Sequence, residues 1–485
     1  MKTNKLFLLA GLLIGALNVS FCQKKVAPPA PVLPVPSAAQ LAWHDMEMNA
    51  FIHFTTNTFT GLEWGMGSES PSVFNPTQVD VNQWVSALKA TGMKGIILTC
   101  KHHDGFCLWP SKYTDHTIKN SPYKNGNGDI VKELSDECKK QNVKFGVYLS
   151  PWDRNRADYG TPSYIEYYRN QLKELFNAYG PVFEMWFDGA NGGTGYYGGA
   201  NEKRSINGRT YYDWPKTLDL VRSMEPNVIF FSDAGPGVRW CGNEEGHVNT
   251  TNWNMITPDT LYAGKPNISS FLGTGSENGS HWIPAECDVS IRPGWFYHEA
   301  EDSKVRTPEN LFELYLSSVG RGSLLLLNVP PDKRGMFHEN DVKSLKGFRE
   351  LLDKEFKTNL ALNSKVTATN TRGKSNTYGA ANLVDGKNDT YWATDDNVIE
   401  SSIEVDLKKE QLVKYIVMKE YITLGQRVKS FSVEIKQGNN WVKVADGTTI
   451  GHKRIFKIDP KKTSKIRVTI KDARACPVLS EVEVY

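Results

Sequence analysis

The sequence predicts an α/β protein in which a (β/α)₈ TIM-like barrel is followed by an antiparallel β-sandwich. From about residue 45, short apolar runs alternate with amphipathic stretches, which is typical of parallel strands buried on both faces. After about residue 358, the strands alternate apolar and polar residues instead, as in sheets with one face in water. A doubly wound open sheet is the alternative for the first region, but no GxGxxG turn opens it.

Residues 1–22 are predicted to be a signal peptide. Lys2 and Lys5 precede an apolar run, residues 6–17, that is too short to span a bilayer. Cys22 then predicts a bacterial lipoprotein, cleaved before this cysteine and acylated on it. Ordinary signal-peptidase cleavage is the alternative, because Phe21 is larger than the residue usual at that position. Residues 23–39 form a stiff Pro-rich linker, and the protein is expected in the periplasm or anchored to the outer membrane.

The predicted catalytic domain, residues 40–358, contains seven clear strands and a weak eighth. The clear ones are the apolar runs 49–54, 94–100, 143–150, 181–187, 227–233, 287–291 and 323–329, and the weak one is "EGHVNTTNW", residues 245–253. Amphipathic helices are predicted at 81–92, 129–142, 164–180, 307–322 and 339–359. Chemistry in such barrels lies at the carboxyl ends of the strands.

The remaining residues, 359–485, show seven alternating strands separated by turn residues. The whole chain has 485 residues, a net charge of +3 and 23% charged residues, so neither nucleic acid nor an anionic membrane surface is an expected partner. Apart from Cys22, six cysteines are scattered without CxxC spacing. Buried free thiols are therefore favoured over disulfides, and no structural zinc site is expected.

Several predicted strands end in polar residues, which the barrel would gather at one mouth. They are His53 in "FIHF", His102 and His103 in "TCKHHDGFCLW", Tyr148 before "SPWDR", Asp188 in "EMWFDGANGG", Glu244 and Glu245 in "RWCGNEEG", and Trp295 in "SIRPGWFYH". Paired carboxylates with histidines and tryptophans suit glycoside hydrolysis, in which one acid attacks or stabilises the sugar and the other protonates the leaving oxygen. No P-loop and no GxSxG motif supports phosphoryl transfer or a serine hydrolase.

At these motifs, together with "LEWG" and "WPSKYTDH", the chain resembles the α-L-fucosidases of glycoside hydrolase family 29. The resemblance implies a retaining exo-glycosidase that removes terminal α-L-fucose, needs no cofactor and has no metal in the barrel. It makes Asp188 the nucleophile, and assigns fucose binding to His53, Glu63, His102, His103, Trp186 and, more weakly, Tyr148 and Trp295.

The loop "RWCGNEEG" resembles the branch of that family that prefers α-1,3 and α-1,4 linkages on branched glycans. This implies Glu244 as the acid/base, with Glu245 as the runner-up. Fucosylated glycans are then the expected partners. A non-catalytic glycan-binding protein and a retaining exo-glycosidase for a related sugar remain the alternatives.

Residues 381–394, "ANLVDGKNDTYWAT", resemble the discoidin, or F5/8 type C, modules, which have a galactose-binding-like jelly-roll fold. The resemblance implies a carbohydrate-binding-like domain over 359–485. It also implies a structural Ca²⁺ near Asp385 and Asp389. The alternative is a domain that only supports the barrel.

Overall fold

Eight parallel strands form a closed barrel in this computed structural model, which describes residues 26–485. The strands are β1 (Met48–Ile52), β2 (Gly95–Lys101), β3 (Lys144–Leu149), β4 (Val182–Trp186), β5 (Ile229–Ser232), β6 (Val238–Trp240), β7 (Ala285–Ser290) and β8 (Leu324–Asn328). Each pairs with the next along the chain, and β8 closes the barrel on β1. The predicted signal peptide and Cys22 lie outside the described residues.

The eighth strand is not where the sequence indicated. Residues 245–253 form no strand, so that expectation was wrong, and the missing strand is the three-residue β6. Its middle residue, Arg239, is fully buried and donates hydrogen bonds to the carbonyl oxygens of Leu272 and Trp253. A strand this short, with a charged residue at its centre, has no apolar run for a pattern to detect.

Nine α-helices occur in the described part of the chain. They are α1 (Ala38–His44), α2 (Thr56–Thr60), α3 (Val81–Thr91), α4 (Ile130–Gln141), α5 (Pro162–Tyr179), α6 (Trp214–Met224), α7 (Ser269–Thr274), α8 (Pro308–Ser317) and α9 (Glu339–Glu355). The five predicted helices correspond to α3, α4, α5, α8 and α9. None of the nine is long and apolar enough to cross a membrane.

Helix α1 closes the amino-terminal end of the barrel. Trp43 of α1 joins the interior cluster that includes Phe51, Tyr148, Trp186 and Phe231. The Pro-rich segment before α1 lies on the C-terminal domain, where Val32 donates its amide to the Leu424 carbonyl and Arg427 donates to the Ala30 carbonyl. This segment therefore contacts the C-terminal domain and leads directly into the helix that closes the bottom of the barrel.

The C-terminal domain is antiparallel, as predicted. Its strands are β9 (Lys365–Ala368), β10 (Trp392–Ala393), β11 (Ser401–Glu420), β12 (Val428–Gln437), β13 (Asn440–Gly447), β14 (Arg454–Ala473) and β15 (Val478–Val484). They are ordered β10-β15-β11-β14-β12-β13, with β9 on β11. Predicted pairs of short strands merge into β11 and β14, which bend at register shifts such as that between Asp406 and Gln411.

The six cysteines of residues 26–485 are all buried free thiols, as the sequence indicated. Within this range no group of three or more His, Cys, Asp or Glu side chains is placed to hold a metal ion.

Candidate active site

A pocket of about 240 Å³ opens at the carboxyl ends of the barrel strands. Its walls are aromatic rings, histidines and carboxylic acids: Phe51, His53, Trp64, His102, His103, Trp186, Asp188, Gly189, Ala190, Phe231, Asp233, Trp240, Glu244, Asp288 and Trp295. Drug-sized ligands usually occupy pockets of about 300–1,000 Å³, so this one suits a smaller molecule such as a single sugar ring. No lysine or arginine is among these walls, which does not favour an anionic ligand.

Asp188 lies two residues beyond the end of β4, at the entrance to a Gly-rich loop. One carboxylate oxygen accepts the Ala190 amide at 2.6 Å, and the other accepts the Tyr148 hydroxyl at 2.9 Å. His103 Nε2 is 3.7 Å from the same oxygen as the tyrosine. Burial raises the pKa of Asp188, while the two hydrogen bonds oppose that rise. Donors thus fix the carboxylate in one orientation.

Three histidines stand beside Asp188 and are uncharged at neutral pH. Burial lowers the pKa of His53 and of His103 to about 3, and that of His102 well below its ordinary value. His53 Nδ1 lies 2.9 Å from Asn328 Oδ1, and His103 Nδ1 lies 2.7 Å from the Ser150 hydroxyl. Neutral imidazoles held in this way can exchange hydrogen bonds with hydroxyl groups of a neutral ligand.

Glu244, which follows β6, reaches the same pocket. Its carboxylate accepts the Trp295 indole N–H at 3.3 Å, and burial, Asp188 and Glu63 raise its pKa. The neighbouring Glu245 is not part of the pocket wall. Its side chain is 80% exposed and lies 3.8 Å from His247. The structure therefore brings together Asp188 and Glu244 but leaves Glu245 outside.

Tryptophans form the remaining walls. Trp186 stacks on Phe231 with ring centroids 4.0 Å apart, and Trp64 stands at the rim with about half of its surface exposed. Trp240 donates its indole N–H to Asp288 at 2.8 Å. These flat faces are suited to stacking on the apolar face of a sugar.

Two residues expected to contact a ligand, Tyr148 and Glu63, are not among the wall residues of this pocket. Tyr148 is buried, donates to Asp188 and packs against the rings of Trp186 and His102. Glu63 accepts the backbone amides of Trp295 and Phe296 at 2.7 and 3.2 Å and pairs with His298. In this geometry Glu63 holds the loop that carries Trp295.

Two further tryptophans and two further acids of the wall escaped the sequence reasoning: Trp64, Trp240, Asp233 and Asp288. Burial raises the pKa of Asp233 to about 6, and its carboxylate accepts the Gly264 amide at 2.7 Å. For two of them the sequence contained a signal, since Trp64 lies in the motif "LEWG" and Asp233 is the last residue of the predicted strand "NVIFFSD". Trp240 was hidden because β6 was not recognised, and Asp288 because it lies within an apolar strand.

Comparison with known proteins agrees with this geometry. A model of the α-L-fucosidase family matches residues 32–355, and a model of the F5/8 type C domain matches residues 365–482. α-L-Fucosidase 1 of Arabidopsis thaliana is 39% identical over 462 residues, which cover 94% of this chain and 88% of that protein.

Solved structures are similar over nearly the whole chain. A glycoside hydrolase 29 family member from an unknown rumen bacterium has a TM-score of 0.84 at 41% identity, covering 94% of this chain and 78% of that one. A Ruminococcus gnavus family 29 fucosidase in complex with fucose has a TM-score of 0.86 at 33% identity, covering 95% and 96%. With its pocket of acids, histidines and tryptophans, the chain belongs to the α-L-fucosidases of glycoside hydrolase family 29, carries a C-terminal F5/8 type C domain and is an α-L-fucoside hydrolase.

Proposed function

We propose that the enzyme retains anomeric configuration, with Asp188 attacking C1 of fucose while Glu244 protonates the departing oxygen. Glu244 then takes a proton from the water that releases fucose from Asp188. One observation carries this assignment: Asp188 and Glu244 line the same pocket. The raised pKa of Glu244 suits a proton donor, and the hydrogen bonds on Asp188 favour its charged form.

In this proposal His53, His102 and His103 bind the fucose hydroxyls, and Trp186 and Trp295 contact the ring. Tyr148 orients Asp188 by a hydrogen bond, and Glu63 holds the loop that carries Trp295. The four carboxylic acids of the pocket, with no cation among its walls, fit a neutral hydroxylated substrate.

The proposed substrates are α-1,3- and α-1,4-linked fucosides on branched glycans. Exposed Trp64 at the rim and Trp295 beside Glu244 provide surfaces on which the sugars flanking the leaving oxygen could stack. A branched glycan would use both surfaces, whereas a small aryl group would use few of these contacts.

The test compares release of fucose from 4-nitrophenyl α-L-fucoside and from a Lewis-type branched trisaccharide. A linkage-selective enzyme releases fucose rapidly from the trisaccharide and slowly from the aryl fucoside. An α-1,6-linked fucosyl disaccharide serves as the matched control. Equal rates on all three would contradict the linkage proposal, and retention is checked separately by the configuration of the first-formed fucose.

The C-terminal domain is proposed to hold a structural Ca²⁺ between Asp385 and Glu481. Glu481 on β15 is buried, and burial, together with Glu483 and Asp385, raises its pKa to about 8, while Lys419 and the Lys387 amide oppose that rise. Asp385 is an electrostatic neighbour of Glu481, whereas Asp389 is exposed beside the N-terminal segment. An oxygen-binding cation would neutralise the negative charge that this buried acid carries when ionised.

Added Ca²⁺ should raise the Tm of the wild-type protein after treatment with a chelator, and Glu481→Gln should remove that rise. A Tm unaffected by Ca²⁺ would argue against the site. Binding of the isolated residues 359–485 to a glycan array tests the separate proposal that this domain recognises sugars.

Export through the N-terminal segment, with lipid attachment at Cys22, is also proposed. Its support is the order of charged, apolar and cysteine residues at the N-terminus. Cys22→Ser should move the protein from the membrane fraction to the soluble periplasmic fraction. A cytoplasmic wild-type protein would refute export.

A further inference from the structure

Two glutamates meet in the interior of the barrel below the pocket. Glu184 lies on β4 and Glu286 on β7, strands that are not neighbours in the wall, so their side chains meet across the interior. Both residues are fully buried, and their carboxyl groups are within hydrogen-bonding reach of each other.

Each glutamate also accepts one indole N–H. Trp43 of α1 donates to Glu184 Oε2 at 3.2 Å, and Trp186 donates to Glu286 Oε1 at 3.0 Å. A hydrogen-bonded series thus runs from the helix that closes the barrel bottom to the tryptophan that lines the pocket.

The other oxygen of each carboxyl group, Glu184 Oε1 and Glu286 Oε2, is buried without a donor among the described residues. Two adjacent carboxylates cannot both stay ionised in an apolar interior, because burial and mutual repulsion each disfavour the second charge. A proton between them satisfies both oxygens and leaves one negative charge, which the two indoles stabilise.

We propose that Glu184 and Glu286 share one proton and act together as positioning residues that fix the indole of Trp186 at the wall of the sugar pocket. The pair makes no contact with substrate and takes no part in bond breaking. Its effect on turnover rests on the proposed role of Trp186 in the fucose site, whereas the shared proton does not depend on that role.

The proton has a thermodynamic consequence of definite sign. Burial and each other's proximity raise the pKa of this pair, so the folded protein keeps a proton that an unfolded glutamate, with its pKa near 4.5, releases. The stability that the shared proton contributes is fully present below pH 4.5. It is lost as the pH rises through the pKa of the pair in the folded protein. Each such proton makes the unfolding equilibrium constant rise about tenfold per pH unit.

Asp288, two residues along β7, is the acid that Glu286 perturbs. Burial, Cys241, Glu244 and Glu286 raise its pKa, so it too can hold a proton when folded. Asp288→Asn therefore measures how much of the pH dependence comes from this third acid rather than from the pair.

The experiment measures urea unfolding between pH 5.5 and 7.5 for the wild type, Glu184→Gln and Glu286→Gln. Either glutamine supplies a permanent N–H where the proton stood, so each variant should take up one proton fewer on folding. Infrared difference spectra should show the C=O band of a protonated carboxyl group in the wild type and its loss in either variant. An unchanged pH dependence in both variants would refute the shared proton.

Kinetics then test positioning. Glu286→Leu leaves the Trp186 donor unpaired, and kcat/KM on 4-nitrophenyl α-L-fucoside should fall about 10- to 100-fold, mainly through KM, while Glu286→Gln stays within about threefold of the wild type. Wild-type kinetics in a folded Glu286→Leu would overturn the positioning role. Trp186→Phe tests the contact between Trp186 and fucose separately from the shared proton. An unchanged KM in this variant would refute that contact but would leave the proton shared by Glu184 and Glu286 unaffected.

Discussion

Asp188 is the side chain whose removal should affect catalysis most. Asp188→Asn keeps the size and the neighbours of this side chain but removes the proposed nucleophile. We expect kcat/KM to fall more than about 10³-fold, since a loss of about 4 kcal/mol of transition-state stabilisation corresponds to that factor. The measurement is initial rate on 4-nitrophenyl α-L-fucoside, with circular dichroism as the control for folding. A loss of only a few fold would contradict the assignment.

Glu244 and Glu245 form a matched pair of variants at adjacent positions. Glu244→Gln should lower kcat on a glycan about 10²- to 10⁴-fold, because a sugar leaving group needs a proton, and affect the aryl fucoside less. Glu245→Gln should remain within about threefold of the wild type, since its side chain faces His247 and solvent. The result that would reverse the assignment is a larger loss in Glu245→Gln.

At the scale of elements, the loop after β7 depends on one distant acid. Glu63 accepts the amides of Trp295 and Phe296, although it lies more than two hundred positions earlier in the chain. Trp295 in turn donates to Glu244. The proposed acid/base, Glu244, is therefore oriented by a loop that α2 and its following turn hold in place.

Glu63→Ala should free those two amides and loosen the loop. We expect hydrogen exchange at Trp295 and Phe296 to accelerate, with kcat/KM falling about 10- to 100-fold, because lost acceptors for buried donors cost about 1–3 kcal/mol. His298→Ala, which leaves both amide bonds intact, is the control. Exchange at these amides as slow as in the wild type would exclude this role for Glu63.

At the scale of the whole molecule, the barrel and the C-terminal domain meet at two histidines, the buried His44 and the partly buried His452. His44 at the end of α1 stacks on His452 with ring centroids 5.1 Å apart. Glu47 pairs with Lys453 beside them. Burial lowers the pKa of His452 to about 4, and burial together with His452 lowers the pKa of His44 well below its ordinary value.

This interface should weaken in acid. An unfolded histidine gains its proton near pH 6.5, whereas folded His452 resists protonation until about pH 4. Stability from this residue is therefore present above pH 6.5 and is lost as the pH falls toward 4, by up to about 3 kcal/mol. Asp45, Glu47, Lys94, Lys419 and Lys453 are the charged groups that face it.

The measurement is the free energy of unfolding of the wild type and His452→Gln at pH 7 and pH 5. The wild type should lose more stability than the variant over this interval. Comparing the two cancels the contributions of ionisable groups that His452 does not influence, and it counts the effect of His452 on His44 and Glu47 as part of its own. Equal losses would show that His452 carries no such linkage.

The sequence by itself determined the architecture and the identity of the chemistry. Buried runs such as β2 and β4, alternating with helices capped by Asp129 or started by Pro162, admit few arrangements other than a barrel. The carboxyl ends of such strands share one face, so Asp188, Glu244 and the histidines were expected together before any distance was known.

Only the tertiary structure decided which neighbours each of these residues has. It separated Glu244 from Glu245, which sequence treats alike, and it added Asp233 and Asp288 to the pocket. It also joined Glu63 to Trp295 and Glu184 to Glu286, pairs from segments far apart in the chain. Periodicity reports which face of an element is buried, whereas a hydrogen bond or a shared proton depends on where two distant elements meet, and packing alone sets that distance.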